Sequence, residues 1–208
     1  MVLNLEVFLV TYLIGSIPTA YIVVRRKAHI DIRSAGTGNV GTMNAYEVTG
    51  SRFVGLMVLL GDVVKGVCAV LLTMLFSGFG ENVFAAALLG VVVGHCFPVW
   101  LKFRGGRGLA PAAGAMLMVA WLFVAMWLVC WVVGYAVSKN IHVGNLAAIV
   151  VTPVLGWMLP QEIILKALTV PFSPTEFLAV YTLVSAVLFI RHIEPLRALL
   201  SSTIKNGK

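Results

Sequence analysis

Six long apolar segments take up most of this chain: Val2–Val24, Phe53–Phe79, Val83–Leu101, Leu109–Val137, Ile141–Leu159 and Phe177–Ile190. A helix needs about 20 apolar residues to cross hydrocarbon, and the last segment reaches that only by borrowing from Pro171–Glu176. Lipid offers the backbone no hydrogen-bond partner, so such segments must be helices. The composition agrees: 60% hydrophobic residues, 11% charged, and a mean hydropathy of +1.00. That lies outside the soluble globular class. The expected fold is all-α: a single membrane-embedded domain over 1–208, with no separate soluble module.

Charge sets the expected orientation. The net charge is +7, and the basic residues gather in three places. Arg25, Arg26, Lys27, Arg33 and Arg52 lie in the 25–52 connection; Lys102, Arg104 and Arg107 lie in 102–108; Arg191, Arg197, Lys205 and Lys208 lie in the tail. All three regions should be cytoplasmic, and the 77–82 connection, with only Glu81, should be outside. Short basic loops between spans make no continuous patch, which argues against nucleic-acid binding. No basic leader precedes the first apolar run, so a retained first span with its N-terminus outside is expected.

That assignment raises a parity problem. If Leu109–Val137 crosses once, the basic tail falls outside. As one helix the segment would reach about 43 Å, long for one span and short for two. A hairpin with a short, bent first leg, which Pro111 and Gly114 would tolerate, returns the tail to the cytoplasm. The expectation is therefore seven membrane helices, N-terminus outside and C-terminus cytoplasmic. Lys166 is then the only basic residue outside, and VPFSP (170–174) an outer loop. Cys68, Cys96 and Cys130 lie in apolar runs without metal-type spacing and read as small buried hydrophobes. No metal or cofactor is expected.

Three polar clusters fall at the expected cytoplasmic ends. In DIRSAGTGNVGTMNAYEVTG (31–50), Gly36, Gly38 and Gly41 alternate with Thr37, Asn39, Thr42 and Asn44. Such a stretch can turn backbone N–H groups inward as an anion nest, or can be an ordinary turn-rich loop. In GDVVKG (61–66), Asp62 and Lys65 share a helix face within an apolar span. Charges there are expensive unless paired or facing a cavity, so both a structural ion pair and a site are open. In GHCFPVWLKFRGGRG (94–108), three cations sit among Gly105, Gly106 and Gly108, behind His95 and Pro98. Positive-inside topology accounts for Lys102 and Arg104, but not for the glycines or His95, which alone would read as a core histidine. The spacing is not that of a nucleotide P-loop.

Taken in order, GSIPTAYIV (15–23), DIRSAGTGNVGTMNA (31–45), GDVVKG (61–66) and GHCFPVWLKFRGGRG (94–108) resemble the bacterial membrane acyltransferases that use acyl phosphate and glycerol 3-phosphate, the PlsY-type family. The later half is similar mainly in hydropathy and in Arg191-His192. The resemblance implies a seven-helix inner-membrane enzyme, a monomer, with its site facing the cytoplasm. It would move a fatty acyl group from acyl phosphate to the sn-1 hydroxyl of glycerol 3-phosphate, giving lysophosphatidic acid and phosphate, with no cofactor. Acyl phosphate is already activated, so positioning and charge stabilisation would suffice. The implied catalytic residues are Thr37, His192 and Arg107. The implied substrate-binding residues are Gly36, Gly38, Asn39, Asn44, Asp62, Lys65, His95, Lys102, Arg104, Gly105, Gly106, Gly108 and His142. The His-x4-Asp motif of thioester-dependent acyltransferases is absent: five residues after His29, His95, His142 and His192 stand Ser34, Trp100, Ala147 and Arg197.

The chain also departs from the family pattern. Thr37 replaces a serine and Arg107 a lysine. Glu47 stands where the family has an arginine, and Pro195 where it has an asparagine. His142 falls on a serine position, and the closing Gly-x-Glu is missing. A diverged member with another acceptor, or with a lipid- or anion-binding role only, is the alternative expectation.

Overall fold

The computed structural model describes residues 2–76 and 81–206. Most of the expected outer connection 77–82, and Lys208, lie outside the described residues. The elements are α1 (Val2–Ser16), α2 (Thr19–Ala28), α3 (Thr42–Thr49), α4 (Arg52–Phe76), α5 (Glu81–Cys96), α6 (Leu109–Val119), α7 (Trp121–Ser138), α8 (Ile141–Met158), α9 (Gln161–Ala167) and α10 (Pro174–Asn206). Among the described residues the only bridge between extended backbones joins Ala120 and Leu168. Among the described residues six helical stretches are long and apolar enough to cross a membrane, and α6 is a shorter apolar helix.

The first apolar segment is two helices rather than one. Pro18 has no N–H and interrupts the ladder at Ile17. The Ile17 carbonyl accepts from Thr19 N at 3.0 Å and from Lys65 Nζ at 3.1 Å. A break in α1–α2 thus gives a buried lysine a partner.

The Leu109–Val137 segment is broken at Ala120. Arg107, just before α6, and His142, in the first turn of α8, approach to 3.5 Å. Laid end to end, α6 and α7 would hold them about 44 Å apart, so the chain must reverse between them. Pro111 and Gly114 do not make the bend. Pro111 lies in the first turn, where a missing N–H is harmless, and Gly114 packs against α4. The reversal is braced by the extended residues after α9: Thr169 N donates to Val119 O at 3.0 Å, and the Thr169 hydroxyl donates to Met118 O.

Small residues set the helix spacing. A Cβ on Gly15 would lie 2.2 Å from Val91 O, and one on Gly94 2.1 Å from Tyr12 O, so α1 and α5 touch backbone to backbone. Gly66 and Gly114 do the same for α4 and α6, facing Pro111 O and Val63 O. Close approach through small residues is how helices associate where no hydrophobic force separates them from lipid. The main core runs along α5, α6, α10 and the first turn of α7, with Phe84, Val91, Ala115, Phe123, Phe177 and Val184 buried. A smaller core (Val24, Ile32, Ala45, Val58) fixes α2, α3 and the glycine-rich loop to α4. The outer face of α7 (Leu128, Val129, Val132, Val133, Val137) is exposed and apolar, as lipid requires.

Candidate active site

The first glycine cluster is knotted from within. Asp31 opens it, accepting from Arg33 N at 3.0 Å and pairing with the Arg33 guanidinium at 2.6 Å, which holds its carboxyl down at about 2. Gly36 and Gly38 take left-handed backbone, φ +58° and +71°. Asn44, buried in α3, then closes the loop. Its Oδ1 accepts from Thr37 N at 2.9 Å, and its Nδ2 donates to Ala35 O at 3.1 Å and Asn39 O at 2.9 Å. Gly38 N donates to Ala35 O, and Asn39 N to the Thr37 hydroxyl. The N–H groups of Thr37, Gly38 and Asn39 are thus consumed inside the loop rather than presented as a nest. Thr37 and Gly36 are exposed, and neither lines the cavity described below; nor does Gly38 or Asn44.

Deeper down, Asp62 and Lys65 pair at 2.9 Å with side chains 3% and 6% exposed. Their i, i+3 spacing on α4 puts them one above the other. His95 Nδ1 stands 3.7 Å from Asp62 Oδ1. Asp62 and His95 face the main cavity, while Lys65 turns away to Ile17.

The second glycine cluster wraps the end of α5. Gly105 N donates to Cys96 O at 3.2 Å and Gly106 N to His95 O at 3.1 Å. A Cβ on Gly105 would sit 2.1 Å from His95 O, and one on Gly106 2.1 Å from His95 Nε2. These two glycines are therefore needed for close approach. From α10, Arg191 braces the turn: Nε donates to Gly106 O at 3.1 Å and Nη2 to Gly105 O at 3.0 Å, with the guanidinium 5.3 Å from the Phe97 ring centre. Lys102 and Arg104 are exposed on the outside of this turn and do not reach the cavity. Arg107 points the other way, into it.

That cavity, about 330 Å³, is where the remaining polar groups meet. Asn39, Asp62, His95, Arg107 and His192 line its polar end. Two helices also begin there, α3 after Gly41 and α6 after Gly108, and no side chain caps either start. Uncapped first turns present free N–H groups and a positive dipole end, the ingredients of an anion site. The α8 start differs, because Asn140 Oδ1 accepts from His142 N at 2.8 Å and caps it. A guanidinium can only donate, so His142 Nδ1 accepts from Arg107. Burial pushes the Arg107 guanidinium below its ordinary value; the Glu194 carboxylate opposes this, Arg191 adds to it, and Glu47 opposes it. His192 is wholly buried, and its Nδ1 donates to Leu188 O at 2.7 Å. In the neutral ring that leaves Nε2 as a bare acceptor, and among the described residues it has no hydrogen-bond partner.

From this end the cavity continues as an apolar shaft between α6, α7 and α10, past Met116, Val124, Trp127 and Val184 to Phe123 and Tyr181. It joins an anion-friendly, proton-accepting mouth to a space suited to hydrocarbon.

The family profile described as glycerol-3-phosphate acyltransferase matches residues 5–202. This chain belongs to that family. A glycerol-3-phosphate acyltransferase of Nitrobacter winogradskyi is 34% identical over 96% of this chain and 94% of its own length. One from Rubrobacter xylanophilus is 40% identical over the same shares, 96% and 94%. The fold is shared with PlsY, an integral membrane glycerol 3-phosphate acyltransferase solved in its glycerol 3-phosphate form: TM-score 0.79, 24% identity, 96% of this chain and 92% of that one.

Within this family frame, the departures can be placed. Glu47 is exposed and outside the cavity wall, near enough to Arg107 and His142 to act on them electrostatically. Pro195 is buried within α10, where it leaves the Arg191 carbonyl without its helical donor. Sequence reasoning did not assign roles to Arg191, Asn145 or Tyr181. Arg191 was visible as topological charge and as half of the Arg191-His192 match, with no role attached. Asn145, which accepts from Trp131 Nε1 at 2.8 Å and lines the cavity, carried no local signal inside an apolar span.

Proposed function

We propose that the chain transfers a fatty acyl group from acyl phosphate to the sn-1 hydroxyl of glycerol 3-phosphate, releasing lysophosphatidic acid and inorganic phosphate. The observation that carries this reading is the one cavity with two chemistries. Arg107 and the open starts of α3 and α6 suit phosphate; the shaft toward Phe123 suits an acyl tail.

In this reading Arg107 and the free N–H groups hold the phosphoryl groups and stabilise charge as it develops on the acyl oxygen. The acceptor hydroxyl oxygen bonds to the acyl carbon. Its proton passes to His192 Nε2, an acceptor on the cavity wall with no hydrogen-bond partner among the described residues. The tetrahedral species then breaks its bond to the phosphate oxygen, which leaves with the electron pair and takes the proton. No covalent acyl-enzyme or cofactor is needed. Asp62 and His95 shape the wall beside the acceptor. Thr37, Asn44, Gly36, Gly38, Gly105 and Gly106 act by holding the two loops in shape. The relevant membrane is the bacterial inner membrane, crossed seven times by a monomer whose C-terminus and cavity mouth face the cytoplasm.

Purified protein in lipid, supplied with palmitoyl phosphate and glycerol 3-phosphate, tests this. Phosphate and lysophosphatidic acid should appear together, and Arg107→Ala should abolish both. Phosphate release without lysophosphatidic acid would point to hydrolysis or another acceptor. Neither product from a folded, monodisperse sample would sink the catalytic reading.

A further inference from the structure

The shaft is closed at its far end by a specific ring. Phe123 is 1% exposed and lies edge-on to Phe177 (centroids 4.7 Å) and to Tyr181 (5.0 Å). Behind it, Gly156 of α8 makes room: a Cβ there would meet Phe123 Cε1 at 2.8 Å and Leu178 Cδ2 at 3.0 Å. The Ala120–Leu168 bridge, with Thr169 bonded to the end of α6, seals the turn beyond. The polar end and the closed end are therefore a fixed distance apart. On α10, His192, Leu188, Val184 and Tyr181 all line the cavity, at spacings of four, four and three that keep one helix face. Eleven residues of rise place Tyr181 about 16 Å from His192 along the axis. With C–C bonds of about 1.5 Å in a zigzag, an extended alkyl chain advances about 1.3 Å per carbon, so about a dozen carbons reach the ring.

We infer that Phe123, seated by Gly156, is the stop that sets which acyl-chain length this protein accepts. The inference rests on the proposed acyl-transfer reading for its substrate, and on the closed aromatic end of the cavity for its geometry. A chain that fits ends against the ring. A longer one must bend back or leave part of its tail outside. Shortening Phe123 lengthens the shaft, and filling the space behind it pushes the ring inward.

The test measures two profiles for wild type, Phe123→Leu and Gly156→Ala in lipid nanodiscs. One is acyl transfer from acyl phosphates of increasing chain length, each variant normalised to its own shortest substrate. The other is thermal stabilisation by alkyl phosphates of the same lengths, which bind without reacting. Phe123→Leu should move the longest well-used and best-stabilising chain about two carbons longer, the length of the ring portion removed at about 1.3 Å per carbon. Gly156→Ala should move it shorter. If neither profile moves in either folded variant, Phe123 is not the stop. If no acyl phosphate is turned over but the stabilisation profile moves in both directions, the catalytic reading fails and the length stop stands.

Discussion

Arg191 Nε donates to the Gly106 carbonyl at 3.1 Å, joining residues 85 apart in the chain. With its second bond, to Gly105 O at 3.0 Å, the guanidinium fixes two successive carbonyls of the turn that aims Arg107. A lysine keeps the charge but cannot supply two donors in a fixed plane. Arg191→Lys is expected to raise the KM for glycerol 3-phosphate several-fold with a small change in melting temperature. Arg191→Met should lose more of both, since charge-assisted hydrogen bonds contribute about 1.5–3 kcal/mol. Steady-state kinetics beside thermal unfolding in lipid separate the two. An unchanged KM in a stable Arg191→Lys protein would show that the turn holds its shape without Arg191.

Gly106 packs its Cα against the His95 ring, and Gly50 offers a control. A Cβ at Gly106 would fall 2.1 Å from His95 Nε2 and 2.7 Å from Val40 O. At Gly50, φ is +63° and nothing lies within 4 Å. Overpacking of this kind costs about 1–3 kcal/mol. Gly106→Ala should therefore lower the unfolding midpoint and displace His95 from the cavity wall. Gly50→Asn should cost little, because asparagine tolerates left-handed backbone. Equal midpoints for the two variants would contradict the close packing at Gly106.

How much of this was legible beforehand depended on the kind of signal. Apolar runs and basic loops carry the helices and their order, because lipid makes those demands residue by residue. That Asp62 and Lys65 share a helix face followed from their spacing, which left a structural pair and a site both open; the pairing at 2.9 Å belongs to the folded structure. The glycines were legible as special positions but not in their use. Gly105 and Gly106 serve contact with α5, and the first loop spends the N–H groups of Thr37, Gly38 and Asn39 on Asn44 Oδ1, Ala35 O and the Thr37 hydroxyl, partners that only the folded loop brings together. The helix starts that face the cavity without a side-chain cap are those of α3 and α6, which follow Gly41 and Gly108 and so bear no side-chain signature. Lys102, Arg104 and Arg107 share one short basic stretch, and their spacing alone does not say which of them faces the cavity. A turn through left-handed Lys102 and Phe103, φ +52° and +63°, sends them to opposite sides.

The Asp62–Lys65 pair is nearly dry, which makes its two halves interdependent. Removing one partner from a buried pair costs about 3–5 kcal/mol, whereas replacing both by apolar groups is often close to neutral. Asp62→Asn should thus lower the unfolding midpoint strongly, and Asp62→Asn combined with Lys65→Met should recover a good part of the loss. Thermal unfolding of the two singles and the double forms the cycle. Strictly additive losses would mean that Lys65 is held by the Ile17 carbonyl and not by Asp62.

His192 offers the sharpest test of the proposed chemistry. Its Nδ1 is committed to Leu188 O, so the lone pair facing the cavity belongs to Nε2. A positioned base contributes about 10²- to 10⁴-fold to a proton-transfer step. His192→Asn removes that acceptor while keeping a polar group of smaller size. A loss of kcat in this range, with the KM for glycerol 3-phosphate changed less than about threefold, is the expected outcome, because an interaction made in the transition state is reported in kcat. The reverse split, with KM raised and kcat retained, would reassign His192 to binding. It would then leave a substrate phosphate as the group that accepts the hydroxyl proton.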